Sequence, residues 1–259
     1  MTEQTYEFIQ VERIGKHIAL LIFNRPEARN AANAGIAAEV NAYLQMFEAD
    51  PDLRVGIVTG NGPVFSAGAD LKEVSAGRDI RIPRKGGFMG FTQAKKTKPW
   101  IACLQGPAYG GGAELTLACD LVVMADHASL SLTEVRRGLA PLGGGIVHAA
   151  RKLPATIANE MLLTGQPLTA QRALQYGLAN CVVPADQVRS EAIKLAEQIA
   201  EGSPQSVRMT KRLALATADA TLDEAWRINN EALIELYESP DFKEGPRAFV
   251  EKRKPVWST

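Results

Sequence analysis

The sequence predicts an α/β fold built on a mostly parallel sheet and followed by a helical lobe. Three observations carry the prediction. Short, β-branched apolar runs fill the first half of the chain and end in turns rich in glycine and proline. Runs that are apolar at nearly every residue suit strands covered on both faces, as in parallel sheets with helical crossovers. Segments with apolar residues at helical spacing lie between them, and helical patterns dominate from about residue 155 onward.

Residues 17–23 form the first run and stop at Asn24-Arg25-Pro26. A helix is predicted over 31–49, where Ile36, Val40, Tyr43, Leu44 and Phe47 share a face and Asp50-Pro51 closes it. RVGIVT at 54–59, WIACL at 100–104 and LVVMA at 121–125 give further strands, and 128–132 alternates like a half-buried one. Helices follow over 157–163, 170–176, 187–200, 204–216 and 222–238. Gly165 and Gly177 stand just past helix ends, while Ser203-Pro204 and Ser239-Pro240 read as N-cap and first-turn pairs. The expected division is an α/β core over residues 1–200 and a helical lobe over 201–259. A lobe of this kind serves as a substrate lid or as a subunit contact, and the pattern alone leaves both open.

Composition excludes several functions. The 259 residues carry 29 Lys+Arg against 29 Asp+Glu, so a general nucleic-acid or membrane-surface binder is not expected. A chain of this length buries enough surface to need no disulfide or metal staple. Cys103, Cys119 and Cys181 lack C-x-x-C spacing and sit among apolar neighbours, as buried free thiols of a reducing compartment do. The first ten residues are polar and acidic, without a signal-peptide pattern, and no apolar run approaches the ~18 residues of a membrane span. A cytoplasmic location is expected. His17, His127 and His148 are scattered, so no metal site is expected. Charge is uneven locally: residues 78–98 hold seven basic side chains and one acid, with Gly86, Gly87 and Gly90 loosening the stretch. It reads as a solvated loop or as a mobile loop that meets an anionic ligand. A second basic cluster comprises Arg247, Lys252, Arg253 and Lys254.

Two glycine-rich turns and two carboxylates could carry chemistry. Gly110-Gly111-Gly112 follows a strand and opens the helical segment Ala113-Glu114-Leu115. Glycines there let a ligand approach backbone N–H groups at a helix start, an environment suited to a developing oxyanion. No Gly-Lys-Ser/Thr follows and no G-x-G-x-x-G occurs, which removes the P-loop and dinucleotide fingerprints. Phe65-Ser66-Ala67-Gly68-Ala69-Asp70-Leu71-Lys72, directly after the RVGIVT strand, could supply a second inward N–H or merely connect strand to helix. Ser66 is not in a nucleophile elbow, since G-x-S-x-G is absent. Glu114 lies in an otherwise apolar helix start, and Glu134 precedes Arg136 and Arg137, with which it could form an ordinary surface ion pair. A carboxylate at the rim of a glycine-built pocket is a candidate acid or base, because partial burial raises its pKa toward neutrality.

Taken together, these pieces resemble the crotonase (enoyl-CoA hydratase/isomerase) family over nearly the whole chain. The likeness runs from Asn24-Arg25-Pro26-Glu27-Ala28-Arg29-Asn30-Ala31, through the Phe65 to Lys72 motif, to Lys98-Pro99-Trp100 and onward to Glu114-Leu115. It continues through Leu163-Thr164-Gly165 and Ala173 to Leu178, and ends with Gly245-Pro246-Arg247-Ala248-Phe249. The resemblance implies a ββα-superhelix core, a C-terminal helical trimerisation lobe, and a homotrimer or dimer of trimers. It implies an acyl-CoA thioester substrate, with no cofactor because CoA is part of that substrate. Carried over by position, the N–H groups of Ala69 and Gly111 would form an oxyanion hole. Glu114 and Glu134, twenty residues apart as in hydratases, would orient a water for attack at C3, with Glu134 exchanging the proton at C2. Arg25, Ala28, Asn30, Ala67, Asp70, Leu71 and Lys72 would contact the substrate, joined by Leu142 near the water and by Phe249 and Lys252 near CoA. The implied reaction is hydration of a 2-enoyl-CoA to a 3-hydroxyacyl-CoA.

Alternatives on the same scaffold are enoyl-CoA isomerisation and carnitinyl-CoA dehydration. The second is suggested by the stretch from Gly245 to Trp257, which is more similar to carnitinyl-CoA dehydratases than to mitochondrial-type hydratases. A more distant alternative is a non-catalytic or RNA-binding relative, disfavoured by the charge balance. Two departures from the hydratase pattern bear on the acyl group: Leu142 where many hydratases have glycine, and Ile146-Val147-His148 in place of Thr-Gln-Arg.

Overall fold

The structure, a computed structural model, describes residues 5–77 and 86–258. Its main sheet has six strands: β1 (Ile9–Ile14), β2 (Ile18–Phe23), β3 (Val55–Gly60), β4 (Trp100–Leu104), β6 (Leu121–Ala125) and β9 (Cys181–Val183). They lie in the order β1-β2-β3-β4-β6-β9, with β1 antiparallel to β2 and every later pairing parallel. A smaller sheet joins β5 (Ala108–Tyr109), β7 (Ser129–Ser131) and β8 (Leu168–Thr169).

The continuous apolar runs are strands between two cores. In β2 all six residues are buried: Ile18, Leu20 and Ile22 enter one cluster, while Ala19, Leu21 and Phe23 enter the other. β4 divides the same way, with Ile101 and Cys103 on one side and Trp100, Ala102 and Leu104 on the other. Helix α7 (Val188–Ala200) covers the first side through Val188, Ala192 and Ala196. Helix α1 (Ala34–Ala49) and α3 (Gly111–Leu117) pack on the second.

Helix α1 begins three residues later than its periodicity predicts. Asn33 caps it by accepting the Ile36 N–H at 2.9 Å, and Ala32 is held extended by a bridge to Ala69. The remaining helices are α2 (Leu71–Ser75), α4 (Gly145–Lys152), α5 (Ala155–Thr164), α6 (Ala170–Gln175), α8 (Pro204–Thr217), α9 (Leu222–Tyr237) and α10 (Pro240–Val250). Ser203 and Ser239 cap α8 and α10 as their spacing predicts. Ser203 also donates to Asp241 at 2.6 Å, which fastens α8 to α10. β1, α4 and α10 are elements the periodicity did not delimit. The lobe formed by α8, α9 and α10 leaves Leu222, Trp226, Ile234 and Phe249 exposed. Among the described residues no helix is long and apolar enough to cross a membrane.

Candidate functional site

The site grows from the loop after β2. Asn30, wholly buried and left-handed at φ 54°, donates its side-chain amide to the carbonyls of Asn61 at 2.9 Å and Val64 at 2.8 Å. Its Oδ1 accepts the Arg25 N–H. The side chain is therefore taken up in pinning two loops together and presents no surface to a ligand. Arg25 donates to Asp70 at 2.8 Å and to the Ala31 carbonyl, while Asp70 also caps α2 through the Lys72 N–H. The arginine beside it and these N–H contacts hold the Asp70 carboxyl below its usual range, against the opposing effect of burial. The Asn30 and Asp70 side chains thus build the loop that is expected to contact the substrate. Ala28, Ala67, Leu71 and Lys72 line its accessible side, Leu71 and Lys72 being exposed.

That loop aims one backbone donor. In the bridge between Ala32 and Ala69, Ala32 donates to the Gly68 carbonyl and accepts from the Asp70 N–H, at 2.7 and 2.9 Å. The pairing pattern of a parallel bridge turns the Ala69 N–H away from Ala32. A Cβ built on Gly68, the residue before Ala69, would lie 2.8 Å from the Gly111 nitrogen, so the two turns nearly touch. Gly110 takes φ 50°, and the first intrahelical bond of α3 runs from Glu114 N–H to the Gly110 carbonyl. The Gly111 N–H therefore precedes the helix's own hydrogen bonding and is left to point outward. The structure brings both predicted oxyanion donors to one place.

The carboxylates reach the same place by different routes. Glu114 projects from the first turn of α3, only 4% exposed, and its Oε1 accepts the Gly145 N–H at 2.9 Å. A Cβ on Gly143 would fall 2.4 Å from Glu114 Oε2, so this turn must be glycine to admit the carboxylate. Burial pushes the Glu114 pKa up to about 7; the N–H groups of the 143–145 turn oppose the rise and the Glu134 charge adds to it. Glu134 opens a 3-10 turn, Glu134–Arg137, after β7, and the bond from Gly110 N–H to Ser131 O ties that strand to the glycine turn. Its Oε1 lies 3.2 Å from the Cβ position of Gly110. Its Oε2 is buried without a hydrogen-bond partner among the described residues. Burial raises the Glu134 pKa, opposed by a backbone N–H and by the Arg137 charge. The neighbouring arginines donate elsewhere, Arg136 to the Thr164 carbonyl and Arg137 to that of Thr133, so the plain surface ion pair is not what forms.

Other expected residues lie apart. Leu142 is 73% exposed beside the 143–145 turn. Phe249, 86% exposed, and Lys252 stand at the end of α10, and within this chain they do not pack against the carboxylates. The basic stretch 78–98 falls partly outside the described residues. Of its described cations, Lys96 donates to the Phe91 carbonyl and Lys98 to those of Phe47 and Asp50. Those two ammonium groups are bound inward and do not await a phosphate. In the C-terminal cluster Arg247 pairs with Glu251, and Arg253 with Glu244. Periodicity and motif missed Gly145, Phe88 and Thr92. The ring of Phe88 covers Gly111, where a Cβ would meet ring carbons at 2.3–2.5 Å. Among the described residues no three His, Cys, Asp or Glu side chains gather as a metal-ligand set.

Comparison with known proteins gives this arrangement its class. A family model described as enoyl-CoA hydratase/isomerase matches residues 13–259, and the chain belongs to that family. Carnitinyl-CoA dehydratase of Proteus mirabilis is 40% identical over 244 residues, 92% of this chain and 93% of the relative. An enoyl-CoA hydratase from Mycobacterium tuberculosis H37Rv overlays with a TM-score of 0.92 at 37% identity, covering 97% of this chain and 98% of that one. A carnitinyl-CoA hydratase from Mycobacterium avium is 41% identical and overlays at 0.78, covering 98% and 99%. The α/β core with its helical lobe is thus the crotonase fold. Sequence identity and superposition rank the two kinds of name in opposite order.

Proposed function

We propose that this chain is a hydro-lyase that adds water to, or removes it from, a CoA thioester across C2 and C3. The observation that carries the reading is a pair of carboxylates at the glycine start of α3, Glu134 against Gly110 and Glu114 reaching from the first turn to Gly145, both with pKa values raised by burial and beside the Gly111 N–H that the helix leaves free. In the hydration direction the thioester oxygen gathers negative charge, and the N–H groups of Ala69 and Gly111 receive it. Two such preorganised donors are worth several kcal/mol, at about 10²–10³ in rate each. Glu114, gripped by Gly145, orients the water for attack at C3. Glu134, protonated on the oxygen that no described residue satisfies, gives that proton to C2 while the Glu114 carboxylate takes up the proton the water loses. Hydroxyl and hydrogen are thus added to adjacent carbons, and the two carboxyls re-equilibrate with solvent between turnovers. Elimination is the same path reversed. Isomerisation needs one acid–base group and no water, and the second carboxylate argues against it.

Within this reaction the favoured acyl group is that of carnitinyl-CoA. The curated relatives named carnitinyl-CoA dehydratase support it, as does the likeness of the stretch from Gly245 to Trp257. A simple 2-enoyl-CoA is the second reading, favoured by the superposition on the Mycobacterium tuberculosis enoyl-CoA hydratase. CoA enters as part of the substrate, and the proposed assembly is a cytoplasmic trimer or dimer of trimers in which Phe249 and Lys252 meet CoA. A panel of carnitinyl, short, long and branched CoA esters, assayed for loss or gain of water, tests the reading. The expected result is a kcat/KM at least about tenfold higher for carnitinyl-CoA than for any simple ester, a difference of ~1.4 kcal/mol. Preference for a simple ester would install the second reading. Double-bond migration without a 3-hydroxyacyl product would refute both.

A further inference from the structure

The loop 86–92 bears on both halves of the site, and the chemistry above gives it no task. Its backbone is left-handed at Gly86, Gly87, Met89 and Gly90, with φ of 99°, 72°, 52° and 68°. A run of such residues, one of them a methionine, persists only when its surroundings dictate it. What dictates it is Thr92. The buried Thr92 hydroxyl accepts the Phe88 N–H at 2.8 Å and donates to the Gly143 carbonyl. Gly87 admits that hydroxyl, since a Cβ there would lie 2.2 Å from Oγ1. The Thr92 carbonyl in turn bonds His148 Nε2 at 3.0 Å. A carbonyl can only accept, so the imidazole carries a proton on Nε2.

The two ends of this chain of contacts are the two halves of the chemistry. On one side, Phe88 lays its ring on Gly111, the proposed oxyanion donor. On the other, Gly143 belongs to the turn whose Gly145 N–H holds Glu114. His148, at the place where this chain departs from Thr-Gln-Arg, closes the latch from α4. We propose that Thr92 is a positioning residue for the reaction, its hydroxyl locking the Phe88 loop to the 143–145 turn so that Glu114 and the oxyanion hole keep their mutual geometry. The proposal rests on the hydro-lyase reading for its effect on rate, and on geometry alone for the latch. Removing the hydroxyl leaves the Phe88 N–H and the Gly143 carbonyl unpaired in a half-buried site, and both segments shift to find other partners. Misplacement by about 1 Å costs on the order of 10²-fold in rate.

The test uses Thr92→Val, which keeps the shape and removes the hydroxyl, and Thr92→Ser, which keeps the hydroxyl. On whichever ester the parent turns over best, Thr92→Val is expected to lower kcat about 10- to 100-fold while KM stays within about threefold, and Thr92→Ser to stay within about threefold in both. Amide hydrogen exchange is measured alongside. It is expected to quicken about tenfold in 86–92 and 141–148 for the valine variant and to remain at the parent rate for serine. Equal losses in both variants would mean that packing rather than the hydroxyl matters, and unchanged kcat in both would likewise overturn the proposal. A parent inactive on every ester would sink the hydro-lyase reading, and the exchange data would still decide the latch. Should Thr92→Val fail to fold, Thr92→Ala is read in the same way.

Discussion

Glu114 and Glu134 meet glycine turns in opposite kinds of surroundings, Glu114 at 143–145 and Glu134 at Gly110. Glu114 stands in the first turn of α3, almost wholly buried, and is held by the Gly145 N–H. Glu134 sits on a short 3-10 turn, half-buried, with one oxygen that no described residue satisfies. The difference teaches a division of labour. A carboxylate fixed by a backbone donor suits holding a water in one orientation and taking its proton as it attacks. A carboxylate with a free oxygen suits taking up and releasing a proton. The pocket that contains both is built from glycines because side chains at 111, 143 or 145 would collide with Phe88, Pro141 or Glu114 itself.

The contrast can be broken first on the Glu114 side. Glu114→Gln is expected to lower kcat/KM by about 10²–10⁴-fold, the usual weight of an acid–base group. Parent activity in hydration should fall below the Glu114 pKa of about 7, and that limb should vanish in the variant. The same substitution sharpens the comparison through stability. A folded pKa above the unfolded value means that the folded protein holds the proton more tightly, so stability declines as pH rises between about 4.5 and 7. At pH 8 the ionised, buried Glu114 is a liability, and Glu114→Gln should unfold at higher temperature than the parent, by a margin on the order of 3 kcal/mol. At pH 4, where the carboxyl is protonated in both states, the margin should disappear. Equal margins at the two pH values would mean that Glu114 is not buried as a charge.

Smaller effects follow from paired glycine substitutions, one beside each acid. At Gly143 a methyl would lie 2.4 Å from Glu114 Oε2, so Gly143→Ala should slow turnover about tenfold or more by displacing the carboxylate. Gly138 closes the Glu134 turn at φ 69° with nothing within 4 Å of its Cβ position. Gly138→Ala should therefore cost only about 1–2 kcal/mol of stability for the left-handed backbone, with activity within about threefold. Thermal unfolding and steady-state rates on both variants check the pair. Equal loss of activity would erase the distinction between a gripped and a free carboxylate.

Much of this was legible in the sequence, for reasons that differ by region. β2, β3, β4 and β6 announce themselves because strands between two cores are apolar at almost every residue, and nothing else in a chain of this kind is. β1 did not, since it is an edge strand with four of six residues exposed. α4 follows two glycines and begins on a third, and α10 contains Gly245-Pro246, so helix breakers hid both. Glu114, Glu134 and the glycine turns were legible because they are residue types the chemistry requires. Gly145 and Thr92 were not, because Gly145 acts through its own N–H and the Thr92 hydroxyl meets only backbone groups, which every residue carries. Asn30 was legible as part of a motif, and the structure adds what its side chain does: its amide pins two loops together.

One measurement bears most directly on the central claim, that Glu134 moves the proton at C2. Glu134→Gln, which keeps the shape and removes the acid, is followed on the ester that the parent turns over best through loss of the enoyl-thioester ultraviolet band. The account predicts that hydration falls about 10²–10⁴-fold while the variant still binds the ester. Hydration persisting within about tenfold of the parent would contradict it and return Glu134 to the role of a buried bystander.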